Sequence, residues 1–160
     1  MAIYRFGTGV LKATPKVGSV ANFGTLQDVT IDISYSKKEL YGEHQFPVDI
    51  VRTSAKVSIK AKYAEINAKQ FNDIFLQGAA STVGTTTTIE MTNQLMGSTP
   101  YFQLEFENTR DGKKFLVKFY KCSCSKLGLN FKNEDFAIPD ADIDAIADET
   151  GKVATWTIME

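Results

Sequence analysis

The sequence predicts a mainly β protein with one α-helix, arranged as an antiparallel β-sandwich or partial barrel. Three features carry that reading: period-two hydrophobic alternation, a turn signal joining two alternating segments, and one capped helical stripe. From Val29 to Tyr35, apolar Val29, Ile31, Ile33 and Tyr35 alternate with Thr30, Asp32 and Ser34. Ala55, Val57, Ile59, Ala61 and Tyr63 alternate more strictly with Lys56, Ser58, Lys60 and Lys62. Phe102, Leu104 and Phe106 do the same against Gln103, Glu105 and Glu107. Successive strand residues point to opposite faces, so these segments read as half-buried antiparallel strands with one wet face. Asn108 to Gly112 supplies turn chemistry, because Asp111-Gly112 reaches positive φ at little cost, and Phe115 to Cys122 returns as the paired strand. Further strands are expected at Leu127–Phe131, Phe136–Ile146 and Val153–Met159, giving eight or nine in all.

The helix is expected between Asn67 and Gly78. Asn67 suits an N-cap, Gln70 a capping-box contact, and Ile66 with Phe71 a hydrophobic staple. Gly78 is placed to end the segment as the residue after the C-cap. Ile66, Phe71, Ile74 and Phe75 form an apolar stripe that needs a sheet to cover it. Two stretches read as loops. Residues 36–52 are punctuated by Gly42 and Pro47, and residues 78–99 are rich in Thr, Ser and Gly. No internal repeat divides the chain, so residues 1–160 are expected to form a single domain.

Composition narrows the function by exclusion. The chain has 160 residues, 43% apolar and 23% charged, enough for a real core and unlike a disordered segment. Its longest apolar run is four residues, Met1 to Tyr4, which predicts neither a membrane-spanning helix nor a secretory leader. Eighteen basic against nineteen acidic side chains give no electrostatic reason for tight nucleic-acid binding. His44 is the one histidine, and no nucleophile elbow, phosphate-binding loop or dinucleotide glycine pattern occurs. Cys122 and Cys124 share a strand face without further thiols or histidines to complete a zinc site, and read as free thiols. Asp140, Asp142 and Asp144 resemble the start of an EF-hand loop, but Ala145 and Gly151 stand where glycine and a bidentate glutamate are required. No cofactor and no enzymatic activity are expected.

The charge is unevenly distributed. From Arg110 to Lys132 seven basic residues face one acid, and from Glu134 to Glu149 there are seven acids and no base. Two readings are open. The segments neutralise each other within one subunit, or they form faces of opposite sign suited to head-to-tail assembly.

The run Lys38-Glu39-Leu40-Tyr41-Gly42-Glu43-His44-Gln45-Phe46-Pro47-Val48 resembles the tail tube (major tail) proteins of long, non-contractile-tailed bacteriophages. The order of features around it is similar too: a Gly7-Thr8-Gly9 break, the strand start Gly24 to Val29, the Lys56–Lys62 strand, and Phe71-Asn72-Asp73-Ile74-Phe75 in the helix. Phe131-Lys132-Asn133-Glu134-Asp135-Phe136-Ala137-Ile138-Pro139 extends the likeness towards the C-terminus.

The resemblance implies a two-sheet sandwich with a flanking helix, in six-membered rings stacked into a tube through which DNA leaves. The main partner would be the chain itself, with tape-measure, tail-tip and terminator proteins besides, in a virion tail made in the host cytoplasm. The loop reaching the adjacent ring would be Tyr41–Val51. Tyr41, Gly42, Gln45, Phe46, Pro47 and Val48 are the candidate contacts, with Phe46 as anchor and Pro47 limiting disorder. A conducting channel should hold little positive charge. Asp140, Asp142 and Asp144 alternate onto one strand face and are the candidate lumen-facing acids. Two other readings are a type VI secretion-like tube subunit and a monomeric β-sandwich module whose aromatic loop grips a ligand.

Overall fold

The structure is a computed structural model that describes residues 9–16, 20–22, 26–63, 67–76, 78–93, 101–134 and 138–159. Ten strands are present among them: β1 (Val10–Pro15), β2 (Ala21–Asn22), β3 (Leu26–Tyr41), β4 (Pro47–Tyr63), β5 (Ala79–Val83), β6 (Thr86–Glu90), β7 (Phe102–Arg110), β8 (Lys113–Gly128), β9 (Asp140–Ile146) and β10 (Ala154–Ile158). A helical segment follows β4, as α1 (Ala68–Phe71) running into a π-helical turn at Asn72–Leu76. All pairings are antiparallel. The main sheet has the order β2-β1-β7-β8-β9-β4-β3, with β10 also on β8, while β5 and β6 form a separate hairpin.

The central element is β8. Its first half pairs with β7 on one side and β10 on the other, and its second half, from Lys121, pairs with β9. Irregular register at both ladders bends it, so one strand belongs to two halves of the sheet. Leu11 and Ala13 of β1 therefore share a single buried cluster with Val57, Ile59 and Ala61 of β4, although three strands separate them in the sheet. The sheet must curl for that, which is the expected partial barrel. Phe119, Val117, Leu104 and Ile143 fill its centre with almost no exposure. Each such side chain contributes about 1.5–3 kcal/mol over remaining in water.

Alternation correctly places the inner faces of β4 from Val57 to Tyr63, of β7 from Phe102 to Leu104 and of β9 from Ala141 to Ala145, where burial switches with every residue. Phe106 is only half-buried, and the alternation fails at Ala55 of β4 and at Ile33 and Tyr35 of β3, which are exposed because no further strand covers them. Asp111 and Gly112, both at positive φ, make the expected two-residue turn between β7 and β8. Cys122 and Cys124 lie on the inner face as free thiols opposite Ala145 and Ile143. Burial pushes the Cys122 thiol up to about 12 and raises that of Cys124.

Several boundaries differ from expectation. The predicted 36–52 loop is mostly strand: β3 and β4 stay paired out to Tyr41 and Pro47, leaving only residues 42–46 as the turn. Gly42 and Pro47 bound that turn instead of interrupting a long loop. Residues 79–90 within the predicted 78–99 loop form the β5–β6 hairpin. Its Thr-rich run favours extended backbone, and Gly84 at φ 63° starts the turn. Expected strands at Leu127–Phe131 and Phe136–Ile146 are instead the end of β8 at Gly128 and β9 from Asp140. Residues 94–100 and 135–137, like the Gly7-Thr8 break, lie outside the described residues.

The helical segment has the predicted extent, from Ala68 to Leu76, but its second half is π-helical in place of the expected α-helix. Phe71 N–H donates to the Asn67 carbonyl at 2.8 Å, closing the first turn, and Ile74 packs fully into the core. Phe75 stacks on Tyr63 at 6.2 Å and meets the Phe71 ring edge-on at 5.9 Å. The Asn72 side chain then stops the helix by accepting from Gly78 N–H (2.8 Å) and donating to Gly78 O (3.1 Å). Gly78 is therefore not a left-handed cap. Its missing side chain matters because a Cβ would lie 2.3 Å from the Glu90 carbonyl oxygen. Ile66 and the Gln70 side chain, the other halves of the expected staple and capping box, lie outside the described residues.

Candidate functional site

The β4–β9 ladder covers only Val57 to Lys62. Beyond it β3 and β4 continue as a two-stranded ribbon, in which residues 32–56 are exposed except for half-buried Pro47. From Ile33 to Tyr41 this arm extends roughly 30 Å from the core. It carries an unusual load of apolar surface: Ile33, Tyr35, Leu40, Tyr41, Phe46, Val48, Ile50 and Val51 are all exposed, Phe46 at 79%. Scattered apolar residues are ordinary on a surface, but eight large ones on a single ribbon are a concentration that calls for an explanation.

Register shows how they are distributed. Ser36 pairs with Ser54 and Lys37 with Arg52, so Thr53 is an extra residue that turns the following β4 side chains over. Ile33, Tyr35, Tyr41 and Ile50 consequently share one face, whereas Leu40 and Val51 occupy the other. Polar contacts brace the first face. The Arg52 guanidinium sits 4.1 Å over the Tyr35 ring, Lys37 pairs with Glu39 at 3.3 Å, and the Tyr41 hydroxyl donates to Glu39 at 2.6 Å. The hydrogen bonds from Tyr41 and Lys37 hold the Glu39 carboxyl below its usual range, and the same contact raises Tyr41. Of the candidate contacts, Tyr41, Pro47 and Val48 thus end the paired strands, while Gly42, Gln45 and Phe46 form the tip.

Asp140, Asp142 and Asp144 lie on the outward face of β9, with Ala141, Ile143 and Ala145 buried beneath. They are not an isolated acidic row. Lys62 and Lys60 of β4 stand opposite Asp140 and Asp142, and Lys126 of β8 stands on the other side of Asp142. Continuing across the face, β3 contributes Asp28 and Asp32, β4 adds Lys56, and β8 adds Lys121. Strand by strand the face reads acidic, basic, acidic, basic, with five aspartates and five lysines.

This arrangement corrects the reading of opposed charged faces. The basic β8 and the acidic 134–149 segment are neighbours, and Lys121 also reaches Glu149 at 3.1 Å. Neutralisation within the subunit is the outcome. The two period-two rows, Lys56-Lys60-Lys62 and Asp140-Asp142-Asp144, are visible in the sequence. Only their adjacency requires the sheet order. Among the described residues no group of three His, Cys, Asp or Glu side chains is placed to hold a metal ion.

No family model matches the chain, and no curated protein matches it in sequence. Solved structures do match in shape. A chain in the cryo-EM structure of the six-fold symmetrised anti-feeding prophage baseplate superposes with a TM-score of 0.58 at 8% identity, over 100% of this chain and 96% of that one. The fold is one that a chain of that particle shares. A chain in the tail of an empty gene transfer agent particle, refined helically with C6 symmetry, gives 0.55 at 10% identity, over 95% and 96%. A chain in the native gene transfer agent virion gives 0.55 at 9%, over 94% and 95%. At such identities the shared property is the fold, and it spans nearly the whole of each chain.

Proposed function

We propose that this protein is a structural subunit of a phage tail tube, assembled as six-membered rings stacked into a channel for DNA. The observation that carries the proposal is the arm: an apolar ribbon that a monomer leaves in water, on a fold shared with chains of C6-symmetric tails. A two-stranded ribbon is marginal alone, so burial against neighbouring copies is what stabilises it. With contacts on both faces and at its tip, the arm bridges one ring to the next through Tyr41, Gly42, Gln45, Phe46, Pro47 and Val48. Tape-measure, tail-tip and terminator proteins would complete the tail.

Conduction in this reading is passive. The face bearing Asp140, Asp142 and Asp144 lines the channel. Stripes of alternating sign repeat about every 10 Å, so their fields cancel within a few ångström of the wall. DNA then meets no net positive surface on which its phosphates would stick.

Replacing Tyr41–Val51 with a short Gly-Ser linker should leave a folded monomer that no longer forms long tubes. Electron micrographs with tubes of normal length would reject the proposal. In tails that do assemble, Asp142→Lys with Asp144→Lys makes the face net positive and should slow DNA release. Unchanged release would remove these acids from the channel wall.

A further inference from the structure

The two ends of β4 differ in kind. Its N-terminal end adjoins the arm tip, residues 42–46, where Phe46 stands in solvent beside the acid Glu43. Its C-terminal end, 17 residues on and roughly 50 Å away, adjoins a cleft of about 310 Å³ lined by Lys62, Leu129, Asn130, Lys132, Ile138 and Asp140. Leu129, 44% exposed, and half-buried Ile138 are the apolar part of its lining. Lys62 and Lys132 give it a basic rim against one acid, Asp140, which stands opposite Lys62 where the striped face ends at the cleft.

We infer that this cleft receives the Phe46 tip of a second copy of the chain, head to tail. The inference rests on the tube-subunit reading for its setting and adds the receptor that the arm lacks. Size fits: a cleft at the small end of ligand pockets suits one aromatic side chain and its neighbours. Charge fits as well: two lysines against Asp140 leave the lining net positive for Glu43, and the lysines of the arm lie at positions 37 and 38, beyond the turn. Geometry fits best. Donor and receptor lie at opposite ends of one long strand, so each copy that accepts a tip offers its own, and the contact passes on from copy to copy. Phe46 becomes an aromatic anchor desolvated in a pocket, the arrangement that dominates interface energies.

The test joins the two sites covalently without removing the anchors. A Gln45→Cys, Asn130→Cys double variant, treated with a short bismaleimide at concentrations where the parent protein associates, should give a ladder of dimers, trimers and longer species on a denaturing gel. Each single variant should stop at the background set by Cys122 and Cys124. Adding Phe46→Glu or Lys132→Glu to the double variant should reduce the ladder at least fivefold, and adding Glu43→Lys to Lys132→Glu should restore it. Rings or tubes in the micrographs without a ladder overturn this contact and leave the tube reading standing. A ladder without rings does the reverse. Neither rings nor ladder would overturn both, and a ladder indifferent to the Phe46 and Lys132 changes would overturn the contact.

Discussion

Strand β4 is two strands in one. From Val57 to Tyr63 its inner side chains are at most 8% exposed, whereas from Val48 to Lys56 every residue is exposed. The composition of the halves is not very different: each mixes apolar and charged residues. Neighbours separate them. The C-terminal half lies between β3 and β9 over the shared core, while the N-terminal half has only β3. Burial thus follows what the sheet places alongside a strand, and an apolar strand without such neighbours keeps its side chains in solvent.

The contrast is sharpest by truncation. Phe119, fully buried and edge-on to Trp156, should cost about 3–5 kcal/mol of monomer stability when changed to Ala. Ile50→Ala on the arm should stay within about 0.5 kcal/mol in the same urea titration while shortening the tubes. Equal losses in the monomer would mean the arm packs on its own subunit. A middle effect is expected at Asn72, half of a buried contact between helix and β5 hairpin. Asn72→Ala leaves Gly78 N–H and C=O without these partners and should cost about 1–3 kcal/mol. A stability within about 0.3 kcal/mol of the parent would show that water replaces the amide without loss.

The smallest effect belongs to an exposed turn that, unlike the arm, is complete by itself. The Asp148 carboxylate accepts from the Thr150 hydroxyl (2.7 Å), Thr150 N–H (2.9 Å) and Lys152 N–H (2.9 Å), and the first of these does most to hold its pKa down. The folded carboxyl is harder to protonate than the unfolded one. Its contribution is therefore full above about pH 4 and fades as the pH falls through the depressed folded value. The melting temperatures of the parent and Asp148→Asn should differ slightly at pH 7 and converge below pH 4. A gap that persists at pH 2.5 would assign the loss to something other than this charge.

How much of this was legible in the sequence depends on how local the cause is. The Asp111-Gly112 turn follows from neighbouring residues and appears as expected. Of the alternations expected at Ala55–Tyr63 and Phe102–Phe106, the inner residues from Val57 onward and up to Leu104 are buried, while Ala55 is exposed and Phe106 half-buried. The arm was located by its motif but misread as a loop, because alternation announces a strand only where one face is buried. Its Thr53 irregularity hides even that rhythm. The Asn72 clamp was invisible, since its partner is fixed by the approach of Gly78 to Glu90. The charge stripes lay between these cases, with both rows readable and their pairing set by a β4–β9 contact that spans most of the chain.

The β4–β9 register has a mechanical meaning as well. Tension applied at the arm tip runs along β4, while the backbone hydrogen bonds to β9 lie across it. Six residue pairs, Val57–Ala145 to Lys62–Asp140, are then loaded together in shear and none is peeled first. A pull along β4 is therefore resisted by the whole ladder at once, and in the proposed tube that pull is the stretch from ring to ring.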